Sequence, residues 1–148
     1  MVVLHRETVE KHYKKVWGQA RRIAYSAILE GNILAFGAAE HLVAPCGNNG
    51  IPVGISMNAV TALQIAAYAA DTSVIAPVEV DIQVAGFAVL LAGAQVVVGN
   101  FIRSDANARG VPITGDGTDW VVGKAYKEAS GDTEEFHLLI NLIPATSR

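Results

Sequence analysis

The stretch Val-Glu-Val-Asp-Ile-Gln-Val, residues 78–84, decides the fold class of this chain. Apolar residues occupy its even-numbered positions, and acidic or amide residues occupy its odd-numbered positions. Because a strand points successive side chains to opposite faces, this alternation separates the aliphatic side chains from the polar ones. The stretch therefore predicts a half-buried β-strand.

Short apolar runs separated by glycine, proline and asparagine lie on both sides of this strand. We predict further strands at residues 33–36, 53–57, 87–91, 96–102, 120–125 and 135–143. Many short strands at a spacing of roughly ten residues are typical of a sandwich or barrel. The predicted fold class is mainly β, a small antiparallel sandwich or barrel.

Helical patterns occupy three other segments. Apolar residues at positions 9, 13, 16, 17 and 20 fall on one face of a helix over residues 7–22. Residues 58–70 are rich in alanine, leucine and glutamine and favour a helix, and residues 125–130 favour one short turn. We predict an amphipathic helical arm over residues 1–22 and a single β-rich domain over residues 23–148.

The arm and the remaining chain differ in the sign of their net charge. Residues 1–22 carry six Lys/Arg and two acidic residues, whereas the remainder is acidic. A basic arm on an acidic body indicates either a negatively charged partner, protein or nucleic acid, or a solvated helix face. The residues predicted to contact a partner are Arg6, Lys11, Lys14, Lys15, Trp17, Arg21 and Arg22.

The composition is unusually apolar for a chain of 148 residues. Hydrophobic residues make up 51% and charged residues 17%, against roughly 25% charged in average domains. Residues 42–70 and 82–102 contain no charge, but proline, glycine and asparagine interrupt both, so we expect no membrane span. Because charge depletion marks interface cores, we predict a homo-oligomer, with Val96, Val97, Val98 and Phe101 at the interface.

Few residues of the sequence are candidates for catalysis or metal binding. The four histidines lack the spacing of metal ligands, and the single cysteine, Cys46, excludes an internal disulfide. Cys46 with His41 is the one candidate nucleophile, and a small buried residue is the alternative. We expect no enzyme, no metal, no cofactor and no small-molecule substrate. The charged N-terminus without an apolar signal core predicts that the chain is not secreted and assembles in the cytoplasm.

The chain also contains an internal echo. Residues 30–34 lead through a turn-rich connector to residues 51–55, and residues 92–96 lead similarly to residues 121–125. The echo indicates either a repeated supersecondary unit or the coincidence of a chain rich in glycine, valine and alanine.

Three segments carry a resemblance to a known family. They are AGAQVVVG at 92–99, SDANARGVP at 104–112 and VVGKAYKEASGD at 121–132. In this order, followed by a strand at 136–140, they resemble the phage capsid cement (head-decoration) proteins. Arg109-Gly110 reverses the order usual in that family, and Tyr126-Lys127 and Ser130 also depart from its pattern. The resemblance covers residues 80–143 and excludes the basic arm.

The resemblance implies a structural virion protein on the capsid exterior. Such a protein bridges neighbouring major capsid proteins and stabilises the shell, and a trimer suits the local three-fold axes of that shell. The basic arm would then dock on the capsid. The alternative is a nucleic-acid-binding module, in which the arm binds phosphates while Tyr13 and Trp17 stack on bases.

Overall fold

The computed structural model describes residues 19–24, 26–37, 42–70, 79–114 and 119–143. Within these residues the chain forms strands and one helix. The strands are β1 (Gln19–Ala24), β2 (Ile33–Phe36), β3 (Leu42–Pro45), β4 (Gly54–Ser56), β5 (Glu79–Gln83), β6 (Gly86–Leu91), β7 (Phe101–Ser104), β8 (Gly110–Pro112), β9 (Val121–Ala125) and β10 (Glu135–Ile143). The helix, α1, spans Ala62–Ala70.

The first five strands form a closed barrel in the order β1-β3-β2-β4-β5, which we call unit 1. Four of its pairings are antiparallel, and β1 closes the barrel on β5 through the register Gln19↔Gln83 to Ile23↔Glu79. The remaining pairing, β1 with β3, is parallel and short.

The last five strands form a sheet in the order β6-β10-β9-β7-β8, which we call unit 2. Its four strand pairings are antiparallel. Its edge strands meet only at an isolated parallel bridge between Ala92 and Gly110. Unit 2 is therefore an open counterpart of the unit 1 barrel.

The two units repeat one topology strand for strand. In each unit the first strand pairs with the fifth, the second with the third and fourth, and the fourth with the fifth. The parallel pairing of β1 with β3 corresponds to the bridge beside β6 and β8. The chain therefore contains an internal structural repeat.

Each unit enters its second strand through a Gly-Asn turn. Gly31 and Gly99 have φ of 82° and 92°, the left-handed region that glycine adopts without strain. The Oδ1 atoms of Asn32 and Asn100 each accept the backbone N–H three residues earlier at 2.9 Å. Identical turn chemistry therefore starts the equivalent hairpins.

A glycine in the fourth strand of each unit permits close packing on the fifth strand. Gly54 pairs with the second residue of β2, and Gly123 pairs with the second residue of β7. A Cβ would lie 2.6 Å from the carbonyl oxygen of Gln83 in unit 1 and 2.1 Å from that of Leu139 in unit 2. These distances are too short for any side chain at either position.

The cores differ in how complete they are. Unit 1 has its own buried cluster of aliphatic side chains, Ala24, Ile28, Leu34, Val43, Val60, Val80 and Ile82. The buried cluster of unit 2 includes three side chains from unit 1, namely Ile33, Cys46 and Ile55. Unit 2 therefore needs unit 1 to complete its core.

Helix α1 is an insertion in unit 1. Thr61 and Gln64 form a capping box, in which the Thr61 N–H donates to Gln64 Oε1 at 2.8 Å and the Gln64 N–H donates to Thr61 Oγ1 at 3.2 Å. Ile65 packs against the core of unit 1, whereas Leu63 is exposed. Among the described residues, no helix is long and apolar enough to cross a membrane.

Most predicted strands are confirmed, and α1 confirms the helix predicted within residues 58–70. Three predictions are wrong. Residues 97–100 form a turn instead of a strand, residues 125–130 contain no helix, and residues 19–22 belong to β1 instead of a helix. The predicted helix at residues 7–18 lies outside the described residues. The barrel prediction is confirmed by unit 1, and the sequence pattern missed β1, β3 and β8.

Candidate interaction surface

The outward face of unit 2 carries a row of side chains across four strands, three of them exposed and one, Leu139, half-buried. Phe87 pairs with Leu139, Leu139 pairs with Lys124, and Lys124 pairs with Phe101. We call these four residues the outer row. Phe87 is 63% exposed and Phe101 is 43% exposed. Their neighbouring strands bring these exposed rings to one face of the sheet, and contiguous apolar surface of this kind is a candidate for interaction.

Two contacts organise the outer row. The ring of Tyr126 meets Phe87 edge to face, with centroids 5.1 Å apart and an interplanar angle of 89°. The Nζ atom of Lys124 lies 5.9 Å from the centroid of the Phe101 ring. Both contacts favour one orientation of each ring while part of its apolar surface stays exposed.

The segments behind the family resemblance are joined by an ion network. Asp105 Oδ1 accepts the N–H groups of Asn107 and Arg109, and Asp105 Oδ2 lies 3.2 Å from Arg109 Nε. The Arg109 guanidinium also pairs with Asp132. Arg109 therefore links the SDANARG loop to the SGD turn.

A small cleft of about 190 Å³ lies where the two units meet. Its charged lining residues are Glu30 and Glu135, together with aliphatic side chains and the Ser56 hydroxyl. The Ser56 hydroxyl already has two hydrogen-bond partners, because it donates to the carbonyl of Leu29 and accepts the N–H of Asn32. The cleft volume is below the range of usual small-molecule sites.

Cys46 lacks the features of a nucleophile. Its side chain is buried, and burial raises the pKa of its thiol more than hydrogen bonds from Ser104 and backbone groups lower it. The thiol is therefore protonated at neutral pH, the opposite of activation. His41 lies outside the described residues. Within the described ranges, no group of three or more His, Cys, Asp and Glu side chains could hold a metal ion.

The two units contact each other through backbone hydrogen bonds. The Leu91 N–H donates to the carbonyl of Gly31 at 3.2 Å, and the Ile33 N–H donates to the carbonyl of Ala108 at 2.8 Å. The Asn49 N–H donates to the carbonyl of Ser104 at 2.9 Å. Unit 1 therefore occupies the free edge of β6 and the opening between β6 and β8.

The predicted contact residues of the arm fall in two groups. Arg6, Lys11, Lys14, Lys15 and Trp17 lie outside the described residues. Arg21 and Arg22 lie in β1, where they take the register positions opposite Asp81 and Val80. They belong to the barrel backbone instead of a separate arm.

The predicted interface residues also fall into two groups, exposed and buried. Val97 and Val98 are more than half exposed and lie in the turn before β7, and Phe101 belongs to the outer row. Val96 is buried in the core of unit 2, so its side chain is unavailable to a partner. The neighbours that the sequence pattern missed, Phe87 and Tyr126, occur in strand and turn contexts without a distinctive spacing.

These features define a class of β protein with two tandem five-stranded units, a shared core and an exposed apolar surface. No protein-family model matches the chain, and no curated protein matches it. The chain is similar to the crystal structure of the head fiber gp8.5 N base in bacteriophage phi29, with a TM-score of 0.61 and 19% sequence identity. The similarity covers 83% of this chain and 92% of that chain. The two proteins share a fold.

Proposed function

We propose that this chain is a structural protein of a phage head, located on the outside of the capsid and bound to the major capsid protein. The observation that carries the proposal is the fold shared with the phi29 head fiber base over most of both chains. The resemblance of residues 80–143, which form most of β5 and all of unit 2, to capsid cement proteins also supports it. The exposed outer row offers a surface for such contacts.

The proposed role is mechanical and not enzymatic. The chain, assembled in the host cytoplasm as a homo-oligomer, most simply a trimer, would bridge neighbouring capsid subunits. A protein that binds only the assembled shell stabilises the shell by mass action. Several modest contacts on one oligomer act together, so each contact alone can remain weak.

The basic N-terminal segment is proposed to dock on an acidic capsid surface. Residues 1–18 carry four Lys/Arg and two acidic residues, and they precede β1. Complementary charge would act mainly on the rate and register of attachment.

The decisive test is to heat cognate phage heads with and without the protein while a dye reports released DNA. Decorated heads should release DNA at a higher temperature, because the bridging contacts must break first. Equal release temperatures would contradict a stabilising role.

A deletion separates docking from nucleic-acid binding. Removing residues 1–18 keeps the whole of β1, whereas removal of residues 1–22 would take away most of β1. The shortened chain should bind heads more weakly than the full chain. If instead the full chain binds DNA with a steep salt dependence and ignores heads, the nucleic-acid alternative is correct.

A further inference from the structure

The cleft between the two units combines an apolar wall with two carboxylates. Met57, Val89 and Leu91 line it with apolar side chains that are partly exposed. Glu30 and Glu135 also line it, and both are exposed. Neither carboxylate forms an ion pair with a described residue. The cleft therefore offers an apolar contact beside two negative charges that the described chain does not neutralise.

The size of the cleft suits one aromatic side chain. Its volume is about 190 Å³, and an apolar cavity of about 150 Å³ is large enough to hold benzene. A tryptophan placed there would bury apolar surface and would find an acceptor for its indole N–H in a neighbouring carboxylate. The cleft is thus too small for most ligands but large enough for the anchor residue of a peptide segment.

The described part of the chain begins beside this cleft. β1 starts at Gln19, which pairs in register with Gln83 of β5, and Gln83 lines the cleft. Because the pairing is antiparallel, the chain enters β1 from the end at which β5 leads into β6. Residues 1–18 therefore join the fold at the junction of the two units. Trp17 is at most about 7 Å along the chain from Gln19.

The segment that precedes β1 has the charge and the side chain that the cleft lacks. Residues 1–18 carry four Lys/Arg and two acidic residues, and their last five positions include Lys14, Lys15 and Trp17. A second copy of the chain has the same residues. However, a segment joined to Gln19 meets the cleft at an effective concentration of about millimolar, so the segment of the same chain is the favoured occupant.

We propose that the cleft is the docking site of residues 1–18 of its own chain. The Trp17 ring fills the apolar part of the cleft against Val89. Lys14 and Lys15 pair with the two cleft carboxylates. A segment held in this way is unavailable to a capsid, so the cleft and an acidic capsid surface compete for the same basic residues.

Fluorescence of Trp17 tests the apolar part of the contact. In the full chain, Trp120→Phe leaves Trp17 as the single tryptophan. Its emission should lie to the blue of free tryptophan, and Val89→Lys should shift it to the red and remove its protection from acrylamide quenching. Val97→Lys is the matched control, because Val89 is 44% and Val97 51% exposed but only Val89 lines the cleft.

Proteolysis and cross-linking test the charged part of the contact. Glu30→Gln combined with Glu135→Gln removes both charges and keeps side-chain size. Trypsin should then cleave after Lys14 and Lys15 about threefold faster, the scale expected for exposed ion pairs. In the wild type, carbodiimide should link these lysines to the two glutamates within one chain at every protein concentration. Glu128→Gln, at an exposed site outside the cleft, should change neither result.

Three results would overturn the proposal. The first is a Trp17 emission that matches free tryptophan, or that Val89→Lys leaves unchanged in a variant that melts at the wild-type temperature. The second is cleavage of the double glutamine variant at the wild-type rate. The third is a set of cross-links that join different chains, which would assign the cleft to the segment of a second copy.

The cleft contact goes beyond the proposed function, and the two fail separately. The fluorescence, proteolysis and cross-linking measurements use the free protein without heads. If capsid and cleft compete, the double glutamine variant should bind heads more tightly than the wild type, because less free energy is spent in releasing the segment. Equal binding of the two proteins to heads would contradict docking of the segment on the capsid and leave the cleft contact in place.

Discussion

The two units solve one packing problem with different residues. In unit 1 the third and fifth strands contribute Val43 and Val80 to the core, and in unit 2 the equivalent positions are Gly110 and Phe136. Phe136 is 0% exposed, and a Cβ on Gly110 would lie 2.6 Å from its ring. The larger residue on one strand is compensated by the smaller one on its neighbour, so the conserved property of the fold is the filled volume.

The units also differ in closure. Unit 1 closes through β1 and β3, whereas unit 2 leaves an opening that unit 1 fills with Gly31 and Ile33. An open sheet edge invites pairing with another chain, and covering that edge is a common solution. The difference explains why one duplicated unit is self-contained and the other is dependent.

The largest effect is expected at the shared glycines of the fourth strands. Gly123→Ala and Gly54→Ala place a methyl group against fixed backbone, at 2.1 Å and 2.6 Å from carbonyl oxygens. Each should lower the free energy of unfolding by about 3 kcal/mol or more, measured by urea denaturation. Gly131→Ala is the control, since no described atom lies within 4 Å of its Cβ. A tolerated alanine at either site would break the proposed equivalence.

The exchange of side-chain volume between positions 110 and 136 can be reversed by substitution. Phe136→Val should cost about 2–3 kcal/mol through the cavity that it leaves. Gly110→Val should also destabilise, because its side chain would meet the Phe136 ring. The double variant reproduces the pair found in unit 1 and should be more stable than the sum of the two losses implies. Strict additivity in the denaturation cycle would contradict compensation.

The equivalent asparagines should differ in their contributions. Asn32 is 3% exposed and its amide also approaches the Ala108 carbonyl, whereas Asn100 is partly exposed. Asn32→Ala should cost about 2 kcal/mol and Asn100→Ala about 1 kcal/mol, because the hydrogen bond lost is partly buried in the first case and exposed in the second. Thermal melting of both variants measures the difference. Equal losses would mean that the unit contact contributes little.

The smallest effect is expected at the ion pair between Arg109 and Asp132 in unit 2. Asp132→Asn removes the charge that pairs with Arg109, at a side chain that is 59% exposed. The expected loss is about 0.5 kcal/mol, and it should shrink at high salt because exposed pairs are screened. Melting temperatures at low and high salt test this. A large loss that does not depend on salt would show that the network sets the loop structure.

The sequence pattern predicted the strands whose faces differ in polarity. Alternation in β5 and β10 reports one buried and one exposed face, and the structure confirms both strands. The turn at residues 97–100 was misread because three consecutive valines favour strand, while the side chain of Asn100 stabilises a turn locally. Strand propensity could not reveal the hydrogen bond that the Val97 N–H donates to the Asn100 side chain.

The repeat was one of two interpretations of the sequence echo, and the first half of the echo was aligned incorrectly. The structure confirms the second half of the echo, where Gly54 and Gly123 are equivalent, but the first half pairs Gly31-Asn32 with Gly99-Asn100 instead of residues 92–96. The outer row depends on register between distant strands, so only Phe101 could be anticipated, from charge depletion. Duplicated strands preserve packing more faithfully than residue identity, which is why the pattern was faint.

The three unit 1 side chains in the core of unit 2 have a consequence for the order of synthesis. A chain is made from its N-terminus, so the barrel strands emerge from the ribosome before β6 to β10. The barrel can then fold first and offer Ile33, Cys46 and Ile55 as packing partners when the strands of unit 2 emerge. The reverse order would release a half-finished sheet with an uncovered edge. The unit made first therefore contains the surface on which the unit made second completes its core.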